Sequence, residues 1–367
     1  MVERGALAWR RRWWWTWSQC SGVGVQRLQQ LDQAFGGLEP AWEAPAAQLL
    51  ALPGIGPGLI RAREQLRQRL HAVPLRCPPR LLLPFDAAMP EALVSLATPP
   101  LQLHWRGHGP LWAVLRRRHA VAVVGTRRAS LHGCHWARLL GRSLAQAGWP
   151  VLSGLAEGID AEAHRGCLEA GGQPVAVLGT PLERVYPRHH RDLQRQVAQQ
   201  GLLVTEQSMG AALGRAGFAR RNRLLVALAS AVVVVECPSS SGALQAAQWA
   251  QRLGRPVWVV PADANRESAA GSNGLLGSGA QPLLDPRQWL QQLGVEPQAL
   301  AQPAPPEPVS HPLLELIGSG ASFEQLLQRS GQSAAALSAE LIELERSGLL
   351  EPSPGLCWRP RHNGLLC

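Results

Sequence analysis

The stretch Ala120-Val121-Ala122-Val123-Val124-Gly125-Thr126-Arg127-Arg128 decides the fold. Five apolar residues in a row, three of them valine, show no polar alternation and suit a strand buried on both faces. A glycine then turns the chain, and two cations follow at the mouth of the next segment. Apolar runs recur at 120–124, 151–152, 175–178, 202–204, 231–235 and 257–260. Amphipathic segments near 135–147, 161–170, 188–200, 219–229 and 243–253 separate them. Strands of this kind alternating with helices predict a doubly wound α/β fold, a parallel sheet with helices on both faces.

Upstream, Arg10-Arg11-Arg12 precedes Trp13-Trp14-Trp15, but no leucine-rich core or small-residue cleavage site follows, so the segment reads as an aromatic first helix rather than a signal peptide. Residues 18–70 read as short helices with two glycine turns, Ser21-Gly-Val-Gly24 and Leu52-Pro-Gly-Ile-Gly56. The second resembles a helix-hairpin-helix turn, in which a helix N-terminus meets a phosphate, or a purely structural αα-hairpin. Residues 73–115 are proline-rich and end in a strand-like 101–107. Downstream, Pro303, Pro305, Pro306 and Pro308 stiffen a linker over 297–311. Three helical blocks and a short β-wing then outline a winged helix over 312–367. The domain reading is a helical (helix-hairpin-helix or SAM-like) domain at 1–72, a sheet domain at 73–296, the linker, and the winged helix.

No apolar run reaches the roughly 18 residues that cross a bilayer, so the expected location is the cytosol, with no membrane contact. The seven cysteines are scattered without a C-x-x-C pair, and neither zinc nor a disulfide framework is expected. The net charge is +10, and all 36 basic residues are arginine. Such a surface concentrates polyanions, of which nucleic acid is the commonest large one in cytosol. Charge alone leaves a merely basic soluble protein equally open.

In an open α/β sheet, ligands bind beyond the carboxyl ends of the strands. There the sequence places Gly125 and Arg127, the small-residue loop Ser153-Gly154-Leu-Ala-Glu157-Gly158, the loop from Thr205 through Gly210, and Ser241-Gly242. The segment 215–223 is the most informative, with Arg215, Phe218, Arg220, Arg221, Asn222 and Arg223 at a loop-to-helix junction. Guanidinium forks neutralise phosphate and a phenylalanine face stacks a base. Exposed cations at a helix N-terminus oppose the macrodipole by about 0.3–1 kcal/mol each, which favours an anion-binding purpose. The alternative is a solvated basic helix start with Phe218 packed as a staple.

Enzyme readings find less support. There is no G-x-G-x-x-G after the first strand, no acidic residue closing the second, no Walker motif and no G-x-S-x-G elbow, so no cofactor is expected. Glu157, Asp160 and His164 share a helix face suited to acid–base chemistry, but carboxylates in a first turn ordinarily cap N–H groups.

The ordered series Val123-Val-Gly125-Thr-Arg127, Ser153-Gly-Leu-Ala-Glu-Gly-Ile-Asp160, Val177-Leu-Gly179, Tyr186-Pro187, Phe218-Ala-Arg-Arg-Asn-Arg-Leu-Leu225, Val235-Glu236, Ser241-Gly-Ala-Leu244, Pro261 and Gly271-Ser-Asn273 resembles the DNA-processing protein A (DprA/Smf) family over most of residues 100–285. The resemblance implies an extended Rossmann-like fold that binds single-stranded DNA without chemistry, dimerises, and protects and delivers the strand to the RecA recombinase in natural transformation. It implies that Arg127 meets a phosphate, Gly210 and Arg215 hold backbone, Phe218 packs a base, and Asn222 with Arg221 and Arg223 completes the pocket. With the strand-end residues the candidate set is Gly125, Arg127, Ser153, Gly154, Gly158, Gly210, Arg215, Phe218, Arg221, Asn222, Arg223 and Gly242, with no metal ligand. Thr126, Glu157 and Gln207 depart from residues usual in the family. A phosphoribohydrolase, the runner-up, would place its P-G-G-x-G-T-x-x-E motif on Pro238–Ala246, where Ser239, Ser240 and Ala246 break it. A winged-helix DNA-binding regulator is the third reading. Arg329, Arg346 and Arg359 against Glu315, Glu324, Glu340, Glu343, Glu345 and Glu351 give that domain an acidic face unsuited to phosphate.

Overall fold

A computed structural model describes residues 2–70, 74–211, 214–294, 311–318, 320–346, 349–353 and 357–360. The chain forms two compact units, Met1–Leu300 and Ala301–Cys367.

The first unit opens with five helices: α1 (Val2–Ser18), α2 (Val25–Phe35), α3 (Leu38–Glu43), α4 (Ala46–Leu50) and α5 (Pro57–Leu70). Trp13, Trp14 and Trp17 of α1 are buried with Leu28, Leu31, Trp42 and Leu66, and the same core takes in Leu81 and Leu83. A buried indole usually finds a partner for its N–H, as two of these three do. Trp17 donates to the Leu38 carbonyl at 2.9 Å and Trp14 to that of Leu101 at 3.0 Å. Arg10 pairs with Asp32 at 3.1 Å and Arg11 pairs with Asp86, so these cations tie α1 to its surroundings. Buried Arg63 closes the end of α3 by donating to the carbonyls of Ala44 at 2.8 Å and Trp42 at 3.3 Å.

The chain continues through β1 (Leu81–Leu82), α6 (Glu91–Val94), β2 (Leu103–Gly107) and α7 (Leu111–Arg116). The winding then runs β3 (Val121–Val124), α8 (Leu131–Gln146), β4 (Val151–Ser153), α9 (Ile159–Glu169), β5 (Val175–Leu178), α10 (Arg191–Gln200) and β6 (Leu202–Thr205). It is completed by α11 (Arg215–Leu228), β7 (Ala231–Val234), α12 (Ala243–Arg252), β8 (Val257–Val259), α13 (Ala270–Leu276), β9 (Gln281–Pro282) and α14 (Pro286–Gln292). The strands lie in the order β1-β2-β6-β5-β4-β3-β7-β8-β9. The seven from β6 to β9 are parallel; six of them fall on the apolar runs and the seventh, β9, was not anticipated, while β1 and β2 add an antiparallel edge. Alternation divides the central strands between the two faces of the sheet. Val121 and Val123 pack with Ala137, Leu140 and Leu144 of α8, and Ala122 and Val124 with Leu224, Leu225 and Leu228 of α11.

The second unit holds α15 (Pro312–Ile317), β10 (Ala321–Ser322), α16 (Phe323–Ser330), α17 (Ala334–Arg346), β11 (Leu350–Ser353) and β12 (Cys357–Pro360), the strands in the antiparallel order β10-β12-β11. Leu313, Ile317, Leu326, Leu337, Leu341 and Leu350 form its core. A reciprocal Ser322–Gln325 capping box starts α16. Three helices and a β-wing are the winged-helix layout read from the sequence. Apart from His311, the expected linker at 297–311 lies outside the described residues. No helix among the described residues is long and apolar enough to cross a membrane.

Candidate nucleic-acid interface

The chain enters the parallel sheet at β3, winds outward through β4 and β5 to β6, and returns to β7 on the other side of β3. Beyond β3 and β7 lies the topological switch point, where loops diverge and leave a crevice. A cleft of about 790 Å³ opens there. Its walls are Gly125, Arg127 and Arg128 after β3, Ser241 and Gly242 before α12, Tyr186, and Phe218, Arg221 and Asn222 of α11. Gly125 is required by close approach: a Cβ would stand 2.4 Å from Ile159 Cγ1 and 2.8 Å from the Glu236 carbonyl.

Arg127 is exposed, with its guanidinium 5.4 Å from the Phe218 ring centroid and 5.9 Å from that of Tyr186. The two rings lie 5.1 Å apart. Among the described residues no carboxylate pairs with Arg127, Arg128 or Arg220. An unpaired cation and two aromatic faces therefore meet at the rim of the cleft.

The cluster at 215–223 divides. Arg220 is exposed, whereas Arg221 and Arg223 are buried. Arg221 donates to the Val177 carbonyl at 2.8 Å and lies 3.9 Å from Asp160; Arg223 pairs with Glu206 at 2.5 Å. Helical spacing is the reason for Arg221, which shares the sheet-facing stripe with buried Leu224, Leu225 and Leu228. The side chain of Arg215, at the start of α11, lies outside the described residues. Asn222 donates to the Gly242 carbonyl at 3.3 Å and ties α11 to the start of α12.

Three candidates at the end of β4 and in the loop after it do structural work. Ser153 is buried and its hydroxyl donates to the Val123 carbonyl at 2.6 Å. Gly154 lies flat beneath the Arg221 guanidinium, where a Cβ would stand 1.4 Å from Nη1. Gly158 has φ +71°, and a Cβ there would stand 2.4 Å from the Thr126 carbonyl. Gly210 lines a different cleft, of about 560 Å³, with Tyr186, Arg188, Arg191 and Met209, and its N–H donates to Glu183 at 3.0 Å. Tyr186 borders both clefts. It is absent from the sequence-derived set, although the chain's single tyrosine in a strand-end motif was a signal for it.

Glu157, Asp160 and His164 do not form an acid–base group. Glu157 is exposed and faces His189 at 3.4 Å. Asp160 is buried and accepts the N–H groups of Gly154 at 3.0 Å and Ala156 at 3.4 Å. Burial weighs on both members of the inner pair, pushing the Asp160 carboxyl up and the Arg221 guanidinium down against their mutual attraction. His164 is fully buried, and neither ring nitrogen has a partner. Burial, with Arg221 and His190 nearby, holds its imidazole down at about 3.

An unpaired guanidinium beside two rings, on a frame of internally neutralised charges, is chemically suited to an anion with flat rings attached. The family model described as DNA recombination-mediator protein A matches residues 80–294, and the DprA winged helix domain model matches 287–355. Protein Smf of Synechocystis is 30% identical over 393 residues, covering 95% of this chain and 98% of its own. The putative DNA processing protein DprA of Mycobacterium tuberculosis is 35% identical over 302 residues, 76% of each chain. The X-ray structure of DNA processing protein A from Streptococcus pneumoniae shares the fold, with TM-score 0.62 at 23% identity over 76% of this chain and 96% of that one. A Helicobacter pylori DNA processing protein A, whose structure is described by its single-stranded DNA binding mode, matches with TM-score 0.51 at 30% identity over 56% and 92%. With matches spanning both the sheet that carries the cleft and the winged helix, this chain belongs to the DNA recombination-mediator protein A family, the DprA/Smf proteins.

Proposed function

We propose that the cleft beyond β3 and β7 binds single-stranded DNA and performs no chemistry on it. The observation that carries this reading is Arg127, unpaired and set against Phe218 and Tyr186 at the switch point. A guanidinium takes phosphate and the rings stack bases without regard to sequence. The H. pylori relative, described by its single-stranded DNA binding, supports the choice of ligand. On the alternative phosphoribohydrolase reading, the position of the catalytic carboxylate is Ala246, an apolar residue buried in α12. AMP and cytokinin-type nucleotides are accordingly expected to release no free base on incubation.

Family membership supports the rest of the proposal. The protein acts in the cytosol as a homodimer, protects incoming strands, and hands them to the RecA recombinase during transformation. The sheet domain at 73–296 holds the strand, and the winged helix at 312–367, with its acidic face, meets protein rather than DNA.

Fluorescence anisotropy with oligo-dT across a salt series tests the central reading. Affinity falls with salt at a logarithmic slope of about 0.7 per phosphate contact, and Arg127→Ala lowers that slope by about one contact. Phe218→Ala weakens binding by about 1–3 kcal/mol without altering the slope. Tighter binding to duplex of the same length would overturn the proposal.

A further inference from the structure

We infer that the strand path runs past the first cleft into a second one, where Trp249 and Arg252 of α12 hold further bases. This rests on the single-strand reading above and extends it. The second cleft, of about 770 Å³, shares Ala219 and Gln245 with the first, so the two meet along α11 and α12. Its far wall includes Ser18, at the end of α1, and Gly24, just before α2, which gives the helical segment a place in binding.

The chemistry of the second cleft matches a nucleotide chain. Arg220 and Arg252 are exposed and make no ion pair within 4 Å among the described residues, although Arg220 lies near enough to Glu206 to act on its charge. The acid lining the cleft, Glu206, is neutralised by Arg223 at 2.5 Å. Gln245 and Gln248 add amides that both donate and accept, as base edges require. Trp249 is half-buried, with the Arg252 guanidinium 5.2 Å over its ring. A guanidinium plane held on an indole takes a stacked base as an aromatic ring does. Along α12 the residues at 245, 248, 249 and 252 follow i, i+3, i+4, i+7 spacing, one ladder on a single helix face, exposed except for half-buried Trp249, that rises about 10 Å from the shared rim.

Oligo-dT of about 5 and about 16 nucleotides brackets the span of single-strand sites. In the wild type the longer oligomer binds more tightly than the shorter. Trp249→Ala and Arg252→Ala each lower affinity for the longer oligomer about tenfold and leave the shorter unchanged, its retained binding reporting an intact fold. Arg252 is exposed, so its variant keeps the test valid where loss of the indole disturbs packing. Equal affinity of both variants and the wild type for the longer oligomer would overturn the inference and leave the first cleft standing. An equal loss for both lengths in Arg252→Ala would also overturn it, since the ladder would then not be a separate segment. Failure of the wild type to bind either oligomer would remove the single-strand reading itself.

Discussion

Arg221→Met lowers the free energy of unfolding by about 3–5 kcal/mol in a urea titration, the cost of breaking a buried ion pair on one side. The side chain links three elements: it donates to Val177 on β5, faces Asp160 at the start of α9, and covers Gly154 after β4. Removing it leaves Asp160 buried with only two N–H partners and strands the Val177 carbonyl. Removing both charges is milder, because the desolvation that opposes the pair is relieved as well. Asp160→Asn in the Arg221→Met background is therefore expected to recover more than half of the loss. Arg221 thus acts as a positioning residue for the cleft, although the family pattern places it among the strand-holding ones. An Arg221→Met protein of unchanged stability that fails to bind oligo-dT would reverse that assignment.

Buried His164 is expected to cost the native state stability as the solution is made acidic, by a share that can be isolated. In the unfolded chain its imidazole takes a proton near the ordinary value of 6.5, whereas the folded site resists until about 3. Between those limits the unfolded state binds the extra proton, so stability is full above about pH 6.5 and falls as pH drops through the window. Each pH unit costs up to about 1.4 kcal/mol, and the whole window about 4–5 kcal/mol. Urea titrations at several values between pH 7.5 and about 4, comparing wild type with His164→Leu, isolate this share. Burial pushes His104 and His119 down as well, and their contributions cancel in the difference, whereas His190, which acts on His164, is part of the share measured. Parallel stability–pH curves for the two proteins would show that His164 is not held neutral by the fold.

Several parts of this protein were legible before any coordinates. The six valine-rich runs could only be strands covered on both faces, and the strand ends named the loops that form the first cleft. Gly125, Arg127, Phe218, Asn222 and Gly242 line that cleft, and they could be named beforehand because the residue types and the edge they occupy are both local properties of the chain. Strands β1 and β9 were missed, because two residues show no period until β2 or β8 supplies a partner.

The division within 215–223 was half legible. Arg221 falls on the apolar stripe of α11, so its inward direction follows from helical spacing. Its partner, Asp160, is some sixty positions earlier, and nothing local in either segment announces the other. The same holds for Arg223 and Glu206, and for Arg10 and Arg11, whose acids lie on other elements.

By itself the chain's pattern of apolar and polar residues determined the doubly wound sheet, the winged helix after it and the edge of the sheet where the first cleft opens. Periodicity is written in neighbouring residues, so it survives without coordinates. Which arginines remain available to a ligand was decided only by tertiary structure. A guanidinium is neutralised by whichever carboxylate the fold brings within a few ångströms, and that distance is set by the packing of segments far apart in sequence.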